Sequence, residues 1–357
     1  MKYVIDKQKG KAYLQIYEQI KSDVIEGIYK YNTKLPSKRL LAEEIGVSVI
    51  TVEHAYSLLF EEGYIDARER SGYFVCYNPD NTFPSNPHTS VLSHVHTTDQ
   101  SVDFPFSPYA KTVRKVLSTY GKEIFVSSDS SGSIELKAAI RDYLKRSRGI
   151  NVKSEQIVIG AGSEYLYGLI VQMLGKNRIY ALEDPSYPKI AKVYRANGVK
   201  TLFLPLFTDG ISSEHLKKTP ATVLHITPYR SYPSYVSANA SKKNEYIHWA
   251  KTHNGIIVED DFESEFTLLK KAEETVFSLS SGNNVIYVNT FTKTISPALR
   301  IAYMLLPEDM VDLYQKTIGF YACSVPYFNQ LVLAELIASG DFERHINRVR
   351  RKRRHGH

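Results

Sequence analysis

The sequence predicts an α/β chain in two parts, a small helical head ending in a hairpin and then a mostly parallel sheet covered by helices on both faces. Three observations carry this. Up to Tyr77, apolar residues recur at helical spacing between glycine stops. From 78 to 103 that periodicity gives way to Pro, Ser, Thr, Asn and His, the composition of an extended linker. Beyond it, short apolar runs alternate with helical stretches, as strands buried on both sides do, with sites expected at their carboxyl ends. The expected parts are 1–77, 78–103 and 104–357.

In the head, Leu14, Tyr17, Ile20, Val24 and Ile25 mark one amphipathic helix that ends at Gly27. Ser37 is placed to cap a short helix over R-L-L-A-E-E-I, which Gly46 ends. Ser48 is placed to cap a third, with Val52, Ala55, Tyr56 and Leu59 on one face and Gly63 closing it. Two helices joined by a tight glycine turn form a helix-turn-helix, and Y-I-D-A-R-E-R-S-G-Y-F-V after them reads as a two-stranded wing. In the second part the strand-like runs lie at 156–162, 178–184, 200–206, 221–228, 255–261, 284–290 and 300–307. Helical stretches at 134–146 and 242–253 separate some of them.

Composition excludes several classes. Hydrophobic residues at 43% and charged residues at 23% describe an ordinary globular protein, and 357 residues leave room for two domains. The longest apolar run, 165–174, is too short to cross a bilayer, and M-K-Y-V-I-D-K lacks a signal-peptide core. Cys76 and Cys323 form no metal or disulfide spacing, which points to a reducing cytoplasm. The eleven histidines show no ligand spacing, so no metal is expected, and His94 and His96 read as solvated linker residues. The net charge of +7 does not locate a nucleic-acid surface, because the head carries eleven basic and eleven acidic residues. Much of the excess sits in R-V-R-R-K-R-R near the end, read as the solvated face of a long helix. Any case for DNA must rest on pattern.

That pattern exists. The run L-P-S-K-R-x-L-A-E-E-I-G-V-S-x-x-T-V-x-x-A-Y-x-x-L-x-x-x-G-Y-I resembles the winged helix of the GntR superfamily over some sixty residues. The outward positions of the third helix are Val49, Ile50, Thr51, Glu53, His54 and Ser57, which the resemblance turns toward a major groove. Ser37, Lys38, Arg39, Ser48 and the wing's Arg70, Ser71 and Gly72 are then implied as contacts to double-stranded operator DNA. The family usually has arginine where Val49 stands, so apolar contact with thymine methyls is expected instead.

The stretch N-T-F-T-K-T-I-S-P-A-L-R-I-A-Y-M, 289–304, sets Lys293 in a Ser/Thr-rich loop between two apolar runs, with Arg300 seven residues on. A lysine for a Schiff base and a fixed cation for a phosphate are what pyridoxal phosphate (PLP) asks of a protein. The block resembles the cofactor-lysine motif of fold-type I PLP proteins in the form found in MocR/GabR transcription regulators, and the resemblance runs from about Tyr13 to Arg351. It implies an aminotransferase-like domain in which Gly162, Ser163 and Glu164 cradle the phosphate with Thr290 and Arg300. Tyr187 would stack on the cofactor ring, Asp260 would face the pyridinium nitrogen, and Lys293 would form the Schiff base. Lys189 and Arg230 are implied near an amino-compound effector.

The departures are informative. Phe262 stands where the family has a tyrosine donating to the cofactor's phenolic oxygen, and T-P-Y-R-S-Y-P-S-Y replaces the usual T-P-x-H-Q-x-P-x-G. Glu259 and Asp261, flanking Asp260, read as capping or solvated acids. Family members continue past the counterpart of the basic run into a smaller C-terminal subdomain with a carboxylate-binding arginine. Here only His355, Gly356 and His357 follow, so the domain is expected to be C-terminally incomplete. The resemblance implies a dimeric, PLP-dependent regulator that senses an amino compound or PLP itself. An aminotransferase with a regulatory head and an inactive remnant stay open as alternatives.

Overall fold

The two predicted caps of the head are formed, and they set where its helices begin. Ser37 Oγ accepts from the Leu40 N–H and Ser48 Oγ from the Thr51 N–H, each at 3.2 Å. They start α2 (Lys38–Ile45) and α3 (Val49–Glu61), which follow α1 (Ala12–Ile25). Gly46 ends α2 at φ 68°, a left-handed conformation that glycine adopts without the Cβ clash. Ile16, Ile20, Leu41, Val52, Tyr56 and Leu59 are fully buried between the three helices. The wing consists of β1 (Ile65–Arg68) and β2 (Gly72–Val75), antiparallel with Ile65 opposite Val75 and Arg68 opposite Gly72. This computed structural model describes residues 3–6, 10–68, 71–77, 104–267 and 273–355, and the chain divides into two units between Thr97 and Thr98. Arg70 and the stretch 78–103 lie outside the described residues.

The second unit opens with α4 (Phe106–Tyr120) and α5 (Ile134–Arg148). Then come β3 (Ile157–Gly160), α6 (Ser163–Leu174), β4 (Ile179–Asp184), α7 (Pro188–Ala196), β5 (Lys200–Phe207), β6 (Gly210–Ile211) and α8 (Ser213–Lys218). They are followed by β7 (Val223–Ile226), α9 (Ala240–Thr252), β8 (Ile256–Asp260), α10 (Val276–Leu279), β9 (Val285–Thr290) and β10 (Ala302–Leu305). The last helices are α11 (Val311–Thr317), α12 (Tyr327–Ala338) and α13 (Asp341–His355). Each apolar run read from the sequence contains a strand. The sheet order is β3-β10-β9-β8-β7-β4-β5-β6. Strands β5, β4, β7, β8 and β9 are mutually parallel, whereas β10 runs antiparallel to both of its neighbours and β6 to β5.

Side chains alternate across the sheet, so each strand feeds two cores. Ile257, Val285 and Tyr287 join the core that holds α5, α9 and α12, while Val258, Ile286 and Val288 join the one that holds α6 and α7. Both faces are therefore dry, and polar groups reach solvent chiefly at the strand ends. The basic run lies on α13. Phe342, Ile346 and Val349 bury one side of that helix, while Arg351, Lys352, Arg353 and Arg354 are exposed. The face is not purely solvated, because Arg350 Nε donates to the Glu265 carbonyl and Arg353 lies 4.3 Å over the Phe266 ring. Among the described residues no helix is long and apolar enough to cross a membrane.

Candidate functional site

The turn after β9 is anchored from below and open above. Phe291 and Ile295 are buried, and the Phe291 ring packs 5.6 Å from Phe342 of α13. His345 Nε2, also buried, donates to the Thr294 carbonyl at 2.8 Å. Lys293, between these anchors, is exposed and makes no hydrogen bond or ion pair among the described residues. Its ammonium is thus free for chemistry while its backbone is fixed.

Asp260 ends β8, two strands along the sheet order from β10. Its carboxylate is buried, with Oδ2 accepting from the Tyr167 hydroxyl at 2.6 Å and Oδ1 without a partner among the described residues. Burial pushes the carboxyl up to about 7, with the Tyr167 hydrogen bond opposing and Asp261 adding to the rise. His225 Nε2 lies 3.9 Å away, but burial pulls that imidazole down to about 3. It is therefore neutral, and the contact is not an ion pair. Tyr194 meets its Nδ1 at 2.8 Å. An orphaned carboxylate oxygen in a dry site is costly unless something donates to it.

At the start of α6 the backbone N–H groups of Ser163 and Glu164 lack the intrahelical partners they would have mid-helix. Arg300, held at φ 49°, lays its guanidinium over this end. A Cβ on Gly162 would come within 2.9 Å of Arg300 Nη2, so glycine is what lets the guanidinium approach the helix start. Thr290, buried at the end of β9, donates to the Ile301 carbonyl at 3.3 Å and accepts from the Thr292 N–H at 3.2 Å. Arg300 is not free, because Glu164 Oε2 lies 3.5 Å from Nη2 and Glu164 Oε1 lies 3.2 Å from Lys189 Nζ. Lys189 is thereby engaged by a carboxylate of the chain itself.

Tyr187 precedes α7 and is exposed, its ring edge-on to Tyr232 at 6.0 Å. Arg230 and Tyr232 belong to the loop after β7, which a buried carboxylate fixes. Glu183 of β4 accepts from the Thr227 N–H at 3.0 Å and from the Ser231 hydroxyl. Phe262, half-buried beyond Asp260, offers no donor.

The acids flanking Asp260 part company. Glu259 caps α10, taking the Val276 and Phe277 N–H groups at 2.8 and 2.7 Å. Asp261 is neither capping nor solvated as expected. It is buried, with Oδ2 3.1 Å from Arg148 Nη2 and 2.7 Å from the Tyr287 hydroxyl. Arg148 also reaches Ser264 and the Glu273 carbonyl. The pairing of α5 with the end of β8 removes the charge that a lone buried acid would carry.

In the head, Val49 and Ile50 are exposed apolar residues at the start of α3, with Thr51 half-buried beside them. Arg39 is exposed, whereas Lys38 pairs with Glu53 of α3. Ser71 and Gly72 form the wing turn, and Gly72 sits at φ 110°.

Residues 12–75 match the family model for bacterial regulatory proteins of the gntR family, and 102–355 match aminotransferase class I and II. The HTH-type transcriptional regulator YdeL of Bacillus subtilis is 33% identical over 352 residues, covering 95% of this chain and 76% of that one. The probable rhizopine catabolism regulatory protein MocR of Rhizobium meliloti is 27% identical, covering 94% and 74%. The chain belongs to the MocR-type HTH transcriptional regulators. Among solved structures, the α-aminoadipate aminotransferase LysN of Thermus thermophilus superposes on this regulator with a TM-score of 0.62 at 26% identity. That match covers 70% of this chain and 64% of LysN, so the regulator spans less than two thirds of the aminotransferase's length.

The sequence did not single out Tyr167, His225, Arg148, Glu183 or His345. Each acts on the strand ends through a partner remote in the chain, such as Tyr167 on Asp260 across 93 residues. Arg148, directly before the glycine that ends α5, carried the one local hint, a basic last turn, which many solvated helices share.

Proposed function

We propose that this chain is a PLP-dependent, DNA-binding transcription regulator of the cytoplasm, working as a homodimer, whose aminotransferase-like domain senses an amino compound. Proteins of the class I and II aminotransferase fold are PLP-dependent. The observation that carries the reading is the orphaned Asp260 Oδ1, a buried acceptor at a strand end that fits the N–H of a pyridinium. The donor set around it is also suitable. The start of α6, Gly162 and Arg300 offer a phosphate a cradle of N–H groups and a guanidinium, and Thr290 at the end of β9 adds a hydroxyl. Lys293 would hold the cofactor covalently through its ε-amino group, and Tyr187 would cover its ring.

Bound PLP supplies an aldehyde carbon that exchanges between amines. The chain's own residues do the rest. Asp260 would keep the ring nitrogen charged, Arg300 would exchange its Glu164 partner for the phosphate, and Phe262 would offer the phenolic oxygen no donor. In the head, Val49, Ile50 and Thr51 would read bases while Ser37, Lys38, Arg39, Ser48, Arg70, Ser71 and Gly72 hold the backbone. The test is selection of a binding site from a random duplex pool by the PLP-loaded chain, then anisotropy of that duplex across a panel of amines. A selected sequence whose affinity shifts with one amine is expected. A chain that binds all duplexes alike, with or without amines, contradicts the proposal.

A further inference from the structure

The loop after β7 holds a second feature that PLP would not use. Arg230 and Tyr235 both adopt left-handed backbone, φ 51° and 58°, which side-chain-bearing residues avoid. The fold enforces this strain with many bonds. The Arg230 N–H donates to Ser237 Oγ at 3.0 Å, the Tyr235 N–H to the Ser231 carbonyl at 2.6 Å and the Ser231 N–H to the Val236 carbonyl at 2.8 Å. Glu183 pins Ser231 from β4. The result stacks the Arg230 guanidinium 5.3 Å over the Tyr235 ring.

Arg230 is half-buried, and its guanidinium makes no hydrogen bond or ion pair among the described residues. It differs in this from Lys189 and Arg300, both held by Glu164. Around it the rings form an edge-to-face row, Tyr187 to Tyr232 at 6.0 Å and Tyr232 to Tyr235 at 6.1 Å. All three rings are exposed. Strands β4 and β7 are adjacent and parallel, and β8 adjoins β7, so this row stands at the same sheet edge as Asp260. A guanidinium backed by a ring presents its planar fork to a carboxylate, and exposed tyrosine faces favour a flat apolar group.

We propose that Arg230 with Tyr232 and Tyr235, next to the Tyr187 that covers the cofactor, forms the recognition end of the sensor, and that the effector is an aromatic amino acid. Its carboxylate is read by Arg230 and its ring by the tyrosines. The effector's amino group rests on the PLP reading above, whereas the Arg230 contact does not. The loop's strain is then the cost of aiming one free cation.

The test is calorimetry on the unreduced full chain after PLP loading, with the extent of loading read by borohydride fixation of a separate sample. The probes are L-phenylalanine, phenethylamine and L-alanine. L-phenylalanine should bind at least about tenfold more tightly than phenethylamine, which lacks the carboxylate and so one charged hydrogen-bonded contact, and at least about tenfold more tightly than L-alanine, which lacks the buried ring. Arg230→Gly should lower L-phenylalanine affinity by roughly tenfold to a hundredfold and phenethylamine affinity by less than about twofold. Its melting temperature should stay at or above wild type, because glycine accepts the positive φ. Arg230→Lys should recover part of the loss.

Equal binding of L-phenylalanine and phenethylamine, or an Arg230→Gly variant that binds like wild type, would overturn the proposal. L-alanine binding as tightly as L-phenylalanine would overturn its aromatic part. A chain that fixes no PLP yet binds L-phenylalanine through Arg230 upholds the recognition end and sinks the cofactor reading. Loading with PLP and indifference to Arg230→Gly does the reverse.

Discussion

Replacing Arg148 with methionine should unfold the aminotransferase-like unit at much lower denaturant while leaving the head untouched. The guanidinium and the Asp261 carboxylate are 4% and 5% exposed and 3.1 Å apart. Methionine fills most of the volume but leaves Asp261 buried with, among the described residues, only the Tyr287 hydroxyl to donate to its side chain. Stranding one partner of a buried pair costs about 3–5 kcal/mol, and the lost bonds to Ser264 and Glu273 act in the same direction. With a urea m value of about 3 kcal/mol/M for a unit of this size, the midpoint should fall by roughly 1 M or more. The single tryptophan, Trp249, is buried in α9, so its fluorescence reports on this unit alone. Arg148→Met/Asp261→Leu should recover part of the loss, since Asp261 no longer stands uncompensated, whereas the buried Glu265, which the Arg148 charge also stabilises, keeps the remainder. A single variant within about 1 kcal/mol of wild type would refute the ion-pair argument.

Four further outcomes follow, two for the aminotransferase-like unit and two for the head. The folded pKa of Asp260, about 7, lies above its unfolded value of 3.8, so the folded chain binds the extra proton between them. The Asp260 contribution to the stability of the PLP-free protein should fall as pH rises from about 4 to 7, on top of those of Glu183 and Glu259, which burial raises to about 7 and about 8, so Asp260→Asn should make the slope shallower in urea titrations; a slope unchanged by the substitution counts against it. Glu164→Gln should raise PLP affinity up to about fivefold, because an exposed pair worth at most about 1 kcal/mol no longer competes for Arg300, and equilibrium dialysis that shows weaker uptake contradicts this. In the head, Ser48→Ala should cost about 1 kcal/mol by removing the cap on α3, and Arg39→Ala should lower the salt slope of duplex binding by about one; unchanged melting or an unchanged slope would refute each.

The fold was legible where a local pattern has one physical meaning. Strands with both faces buried must be apolar throughout, so the runs at 255–261 and 284–290 could be read directly. Strand direction leaves no such mark, and the antiparallel β10 between β3 and β9 was invisible in R-I-A-Y-M-L-L-P. Strand β6 was missed because it is two residues paired only across the turn from β5. Of three consecutive acids, alternation alone puts Glu259 and Asp261 on the face opposite Asp260. What it does not supply is Arg148, which turns Asp261 from a surface acid into a buried ion pair. The orphaned Oδ1 of Asp260, the strongest argument for a cofactor, exists only once Tyr167 and His225 are packed around it.

Incubation of the purified chain with PLP, reduction with borohydride and identification of the labelled peptide test the account most directly. The expected result is one stoichiometric phosphopyridoxyl group on the peptide containing Lys293, lost in Lys293→Ala, a variant that still binds its selected duplex because the lysine lies in the other unit. Label spread over several lysines, or carried by the Lys293→Ala chain, would contradict the site.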